Sequence, residues 1–192
     1  MTVSFYIYDI SDLYKLTWLD KWQSNNRKIV YINAGFDETS HLFKRKFPNS
    51  ELSVFDFYDP TKHTEVSIKR ARKAYAPFPD TQQINTTHLP LPDNSVDVIF
   101  VILAAHEIRN DEERITFFQE LKRVLTTTGK IIITEHLQDT ANFLAYNIGF
   151  FHFHSKTTWF KTFQSAGLRV VEEIKITPFI TTFILGKNGT PP

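Results

Sequence analysis

Apolar residues fall along the chain in two periods. Residues 51–57 (ELSVFDF) read as a strand ending in Asp56, and residues 28–33 (KIVYIN) and 96–105 carry mostly apolar runs without the strict alternation of a half-wet strand. Such runs predict strands buried on both faces, as in parallel sheets. Residues 96–105 are too few to cross a membrane, which takes about 20 apolar residues. A turn over 89–95 leads into this strand. After it, Asn110-Asp111-Glu112-Glu113 opens a helix whose apolar positions Ile115, Phe118, Leu121, Val124 and Leu125 recur at helical spacing. Thr126-Thr127-Thr128-Gly129 ends that helix, with Gly129 read as a left-handed stop. A further buried strand follows at 130–134, so this is a strand–helix–strand unit with an expected right-handed crossover.

Residues 3–23 predict one or two amphipathic helical stretches, with Trp18 and Trp22 near the end. A helix through Phe47 is stopped by Pro48. Residues 60–75 predict a helix with Asp59 as N-cap and a basic, solvated face carrying Lys62, Lys69, Arg70, Arg72 and Lys73. A weak edge strand is expected at 81–86. Residues 141–153 are apolar and aromatic with histidines interleaved. Ser155 caps a helix over 155–166 that Gly167 ends. Two β-rich runs, 168–176 and 179–186, are joined so closely around Thr177-Pro178 that they must be antiparallel.

Composition narrows the class. The chain has 192 residues, enough for one domain with a substantial core, and its 18 Phe predict a Phe-rich one. A net charge near +1, with Lys and Arg scattered, gives no footprint for nucleic acid or a membrane surface. With no cysteine there is no disulfide framework, thiolate metal site or Cys nucleophile, which fits a cytoplasmic protein. No signal-peptide pattern opens the sequence. His136, His152 and His154 are too loosely spaced to argue for a metal site, and none is expected.

Several pieces in order resemble a known family. Leu89-Pro-Leu-Pro-Asp-Asn-Ser-Val-Asp97, His106-Glu107-Ile108, Glu120-Leu-Lys-Arg-Val-Leu125 and Gly129-Lys-Ile-Ile-Ile-Thr-Glu135 resemble S-adenosylmethionine-dependent methyltransferases of the quinone/sterol C-methyltransferase-like group. The resemblance implies an α/β, three-layer Rossmann-like methyltransferase fold. Its mostly parallel seven-stranded sheet has an antiparallel last strand and runs in order 3-2-1-4-5-7-6. Residues 1–27 then form an N-terminal helical cap that either covers the pocket or simply packs on the sheet. Residues 28–187 form the methyltransferase-like domain, and 188–192 a short tail.

The family's first loop reads D-x-G-x-G-x-G, where glycines let backbone approach the cofactor. Here Tyr31 replaces the acid, Asn33 the first glycine and Asp37 the third, while Gly35 keeps the second. Asn tolerates left-handed geometry, so the turn can still form. The resemblance implies S-adenosylmethionine contacts from Asn33, Ala34, Gly35 and Asp37, with Asp37 or Glu38 as stand-in for the missing acid. Asp56, beside Phe57, lies about 20 residues after Gly35, the spacing at which a carboxylate meets ribose hydroxyls. The alternative is a solvated turn aspartate. Asn85 and Thr86 stand where the family meets adenine, although a turn role serves Asn85 equally. Val101 and its neighbours are expected beside the cofactor.

Strand four delivers His106 and Glu107 to the carboxyl rim, where open α/β sheets bind ligands. They are the candidate catalytic residues; the alternative is that His106 caps or packs the loop. The aromatic insert at 141–153 either walls an acceptor pocket or packs as core. The implied reaction is methyl transfer to a small, apolar or aromatic acceptor, with positioning as the protein's main task. The altered glycine loop supports a second possibility, a catalytically inactive binding or regulatory protein of the same fold.

Overall fold

The computed structural model describes residues 5–22, 27–37, 39–62 and 66–189. Glu38 and the last three residues of the tail lie outside them. Seven strands form one sheet in the order β3-β2-β1-β4-β5-β7-β6. They are β1 (Lys28–Asn33), β2 (Glu51–Asp56), β3 (Gln82–Gln83), β4 (Val96–Ile102), β5 (Leu125–His136), β6 (Leu168–Thr177) and β7 (Ile180–Lys187). The pairs β1–β2, β1–β4, β2–β3 and β4–β5 are parallel, whereas β7 runs antiparallel to both β5 and β6. This is the expected Rossmann-like topology.

Helices cover both faces, giving three layers. On one face, α3 (Asp111–Val124) and α5 (Lys156–Ser165) bury Phe117, Phe118, Leu121, Trp159 and Phe163 against Ile32, Ile99, Val101 and Ile133. On the other, α1 (Ser40–Lys46) and the leader bury Phe43, Leu16 and Leu19 against Ile29, Tyr31, Phe100 and Ile132. Successive strand residues point to opposite faces, so continuous apolar strands need a cover on each side. Every fully buried Phe or Leu contributes about 1.5–3 kcal/mol.

One buried charge ties the first layer together. Arg114 is fully buried. It donates to the Ile108 carbonyl (2.9 Å), Thr162 Oγ1 (3.2 Å) and Asp111 (2.5 Å), and lies 3.1 Å from His154 Nε2. A buried guanidinium is tolerated only when its donors are satisfied, and here they join α3 to α5. Arg123 works similarly at the surface. It donates to the carbonyls of Leu89 and Leu91 and to Asp93, while Glu120 accepts from Leu89 N. The stretch that most resembles the family is therefore an architectural clasp between the 89–95 turn and the end of α3.

Several boundaries differ from expectation. Gly129 is no helix stop: α3 passes directly into β5 at Leu125, and Gly129 lies inside the strand. A Cβ there would meet Leu125 Cδ1 at 2.8 Å and the Asp97 carbonyl at 2.9 Å, so close approach rather than a left-handed turn requires glycine. The basic helix is shorter than 60–75, spanning α2 (Val66–Ala74). Asp59 instead accepts from Thr61 N and its hydroxyl in a turn. The edge strand shrinks to Gln82–Gln83, and β4 ends at Ile102 because Leu103 turns to φ 49°. The leader is one π turn (Tyr6–Ile10) and one 3-10 turn (Thr17–Trp22). The aromatic insert is α4 (Thr140–Tyr146) followed by a 3-10 turn (Asn147–His152). No described helix is long and apolar enough to cross a membrane.

Candidate active site

Among the described residues, cavities follow one another along the carboxyl rim of the sheet. The first, of about 340 Å³, is lined by Tyr31, Ala34, Phe36, Ile102, Leu103, His106, Glu107 and the aromatic insert. The second, about 60 Å³, lies between Asn33, Gly35, Asp37 and Asp56. The third, about 550 Å³, is lined by Phe57, Tyr58, Asn85, Thr86 and Glu113. Phe36 is shared by the first two and Arg72 by the last two.

The loop after β1 forms its turn without the usual glycines. Asn33 accepts from Gly35 N (3.0 Å) and donates to the Phe55 carbonyl (3.2 Å), so its side chain fastens the turn to β2. Gly35 has φ 94°, and a Cβ would lie 2.7 Å from the Tyr58 ring; only glycine fits on both counts. Asp37 Oδ1 accepts from Ser40 N (2.9 Å) and Thr39 N (3.1 Å) at the start of α1. Its Oδ2, with Thr39 Oγ1 and Ser40 Oγ, is buried and has no hydrogen-bond partner among the described residues.

Asp56 ends β2 and is buried, opening on the middle cavity. Its Oδ1 accepts from Tyr58 N (2.8 Å) and its Oδ2 from Arg72 Nη1 (2.5 Å). The same guanidinium donates to the Gly35 carbonyl (3.2 Å) and lies 4.5 Å from the Tyr58 ring centroid. Arg72 thus bridges the two lips of the cleft, a role invisible in a helix read as a solvated basic face. Thr86 donates to Glu113 (2.5 Å), while Asn85 pairs through its backbone with His88. Val101 is fully buried in the core between β1 and β5; Ile102 and Leu103 line the first cavity instead.

At the other end, the 3-10 turn Ala105–Glu107 presents an ordered chain of charged groups. Glu135, fully buried near the end of β5, accepts from His106 N (3.2 Å) and lies 2.6 Å from His106 Nδ1. Glu107 Oε1 stands 3.3 Å from His106 Nε2 and 3.1 Å from His152 Nε2. Burial by itself would discharge His106, but the carboxylates of Glu135 and Glu107 outweigh it and raise its pKa to about 10. Burial also works against the Glu107 charge, yet hydrogen bonds from His106 and His152 hold its carboxyl well below the usual range.

His136 and His154 are differently placed. His136 Nδ1 lies 3.1 Å from both Asn142 Oδ1 and the Phe179 carbonyl, and burial lowers its pKa to about 4. His154 is lowered to about 4 by burial and then by Arg114. His152, which the sequence grouped with them, instead joins His106 and Glu107. In the sequence Glu135 is only the last residue of a family-like stretch; its pairing with His106 spans 29 positions and has no local signal.

Comparisons agree with this architecture. Residues 58–133 match a family profile described as a methyltransferase domain. The chain is 30% identical over 113 residues to the demethylmenaquinone methyltransferase of Thermotoga maritima, covering 59% of this chain and 45% of that protein. It therefore spans less than half the length of that curated relative. A SAM-dependent methyltransferase from Aquifex aeolicus superimposes with a TM-score of 0.63 at 16% identity, covering 92% and 94% of the two chains. The PH0226 protein of Pyrococcus horikoshii gives 0.67 at 16% identity, covering 92% and 89%. The fold is the Rossmann-like fold of these proteins.

Proposed function

We propose that this chain is an S-adenosylmethionine-dependent methyltransferase acting on a small, apolar or aromatic acceptor. The observation that carries the reading is the buried Asp56 carboxylate, standing where β2 ends between the cavity below the β1 loop and the one at Asn85 and Thr86. A carboxylate so placed accepts from two neighbouring ribose hydroxyls. Bound S-adenosylmethionine would supply an already activated methyl group.

The surrounding residues fit that group. Asp37 Oδ2, Thr39 Oγ1 and Ser40 Oγ are buried polar atoms without partners among the described residues, and buried polar atoms require them. They match the ammonium and carboxylate of an amino-acid tail, so Asp37 serves in place of the family's acid. Gly35 admits the Tyr58 ring against the loop, and Phe57, Asn85 and Thr86 bound the adenine side. Asn33 acts by shaping the loop.

The acceptor occupies the cavity of about 340 Å³, whose walls include Tyr146 and Phe153. The Tyr146 hydroxyl is buried and has no partner among the described residues. It, His106 and Glu107 are polar groups that can orient an acceptor oxygen there. The cysteine-free composition fits a cytoplasmic setting.

Calorimetry with S-adenosylhomocysteine tests the assignment. Saturable heat at one site per chain is expected, weakened at least tenfold in Asp56→Ala. No heat and no thermal shift at millimolar ligand would leave the alternative of a binding protein that has abandoned this cofactor.

A further inference from the structure

We propose that His106, Glu107 and His152 form a site for a first-row divalent transition metal in the wall of the acceptor cavity. All three line that cavity, and their donor atoms lie within 4.8 Å of one another. Metal–nitrogen and metal–oxygen bonds near 2.0–2.2 Å place neighbouring donors roughly 2.9–3.4 Å apart at octahedral or tetrahedral angles. Glu107 Oε1 already stands 3.3 Å from His106 Nε2 and 3.1 Å from His152 Nε2. Only the edge between the two imidazoles must close, and His152 sits on a partly exposed 3-10 turn able to do so.

The surroundings are those of a built site. Glu135 holds His106 Nδ1 at 2.6 Å and its backbone N–H at 3.2 Å. That pairing commits Nδ1 to the carboxylate and leaves Nε2 for a metal, the usual outer-shell arrangement of a ligating histidine. Two imidazole nitrogens and one carboxylate oxygen suit zinc, iron(II), cobalt or manganese rather than magnesium or calcium. Three protein donors leave coordination positions for ligands from the cavity. His136 and His154 are not donors, being tied to Asn142 and Phe179, and to Arg114. Arg109 opposes the site: its exposed guanidinium lies against the His152 ring, 2.5 Å from Nε2, and turns to solvent when the metal binds.

The consequence deepens the methyltransferase reading and rests on it. An acceptor with a phenolic or enolic oxygen, or two vicinal oxygens, would fill the open positions, so the substrate class is oxygen-chelating.

Cobalt(II) titration of the chelator-stripped full chain, read by visible absorption and elemental analysis, tests the site. One Co²⁺ per chain with a ligand-field band is expected, displaced by Zn²⁺. His152→Ala and His106→Ala each abolish the band, and Glu135→Gln weakens binding 10- to 100-fold. Circular dichroism checks that each variant folds, and His152→Ala, on the partly exposed turn, reads the site even where His106→Ala does not fold. An absent band in folded wild type, or binding that survives His152→Ala, overturns the proposal. S-adenosylhomocysteine calorimetry on the same stripped protein reports the cofactor reading separately, since its heat requires no metal.

Discussion

Replacing Asp56 by alanine removes the group on which the cofactor reading turns, and the structure sets the size of the effect. Each hydrogen bond to a charged group is worth about 1.5–3 kcal/mol, and the carboxylate has two oxygens to offer a ribose. Oδ1 already accepts from Tyr58 N, and Oδ2 pairs with Arg72, whose side chain is 36% exposed. An ion pair that exposed contributes about 0–1 kcal/mol, and this is what the ligand must displace. Two such bonds less that displacement leave a net loss in Asp56→Ala of about 2–6 kcal/mol, which at about 1.4 kcal/mol per decade is at least a roughly 25-fold weaker dissociation constant. Titration calorimetry with S-adenosylhomocysteine measures it directly. Arg72→Met carries the opposite sign. Freeing Oδ2 from the guanidinium tightens binding, by up to about fivefold for a pair worth about 1 kcal/mol. Unchanged affinity in Asp56→Ala refutes the ribose assignment. A tenfold loss in Arg72→Met refutes the competition, because it makes the guanidinium a ligand contact.

Arg114→Met leaves the Ile108 carbonyl and Thr162 hydroxyl without their donor. It should cost about 3 kcal/mol, or roughly 6–12 °C in melting temperature by calorimetry; a drop under 2 °C contradicts the clasp. Below pH 6.5, the unfolded chain protonates His136 while the folded chain keeps it neutral down to about 4. Stability therefore falls as pH drops through that window, by up to about 3 kcal/mol from this group. His154 acts in the same direction, and His106, raised rather than lowered, contributes its slope only above 6.5. Denaturant titrations should show a shallower acid slope in His136→Phe, and an unaltered slope would be the contrary result. Gly129→Ala and Gly129→Asn should both destabilise by about 2 kcal/mol because either Cβ meets the Asp97 carbonyl. Tolerance of Asn alone would restore the left-handed stop.

The strands themselves were legible because their causes are local, whereas their order in the sheet came only from the family resemblance. Apolar runs in 28–33 and 96–105 demand cover on two faces, and the two-residue link at Pro178 permits only an antiparallel return. Ser155 announced its helix by capping, and its side chain does accept from the backbone at the first turn; Asn110, read only as part of a polar start, does the same. Gly129 misled because a glycine after a helical pattern carries the same letter whether it turns left-handed or admits a neighbouring strand. The helix expected from Pro60 began later because Asp59 spends its side chain on a local turn. What the chain alone could not show is who meets whom across long separations. Arg72 reaches Asp56 from a helix that looked merely basic, Glu135 orients His106 from the next strand, and His152 swings in from the aromatic insert to share Glu107. Periodicity and capping are fixed by neighbours a few positions apart, so sequence determines them. Charge pairing in a cleft depends on which strand ends the sheet brings side by side, and only the tertiary structure decides that.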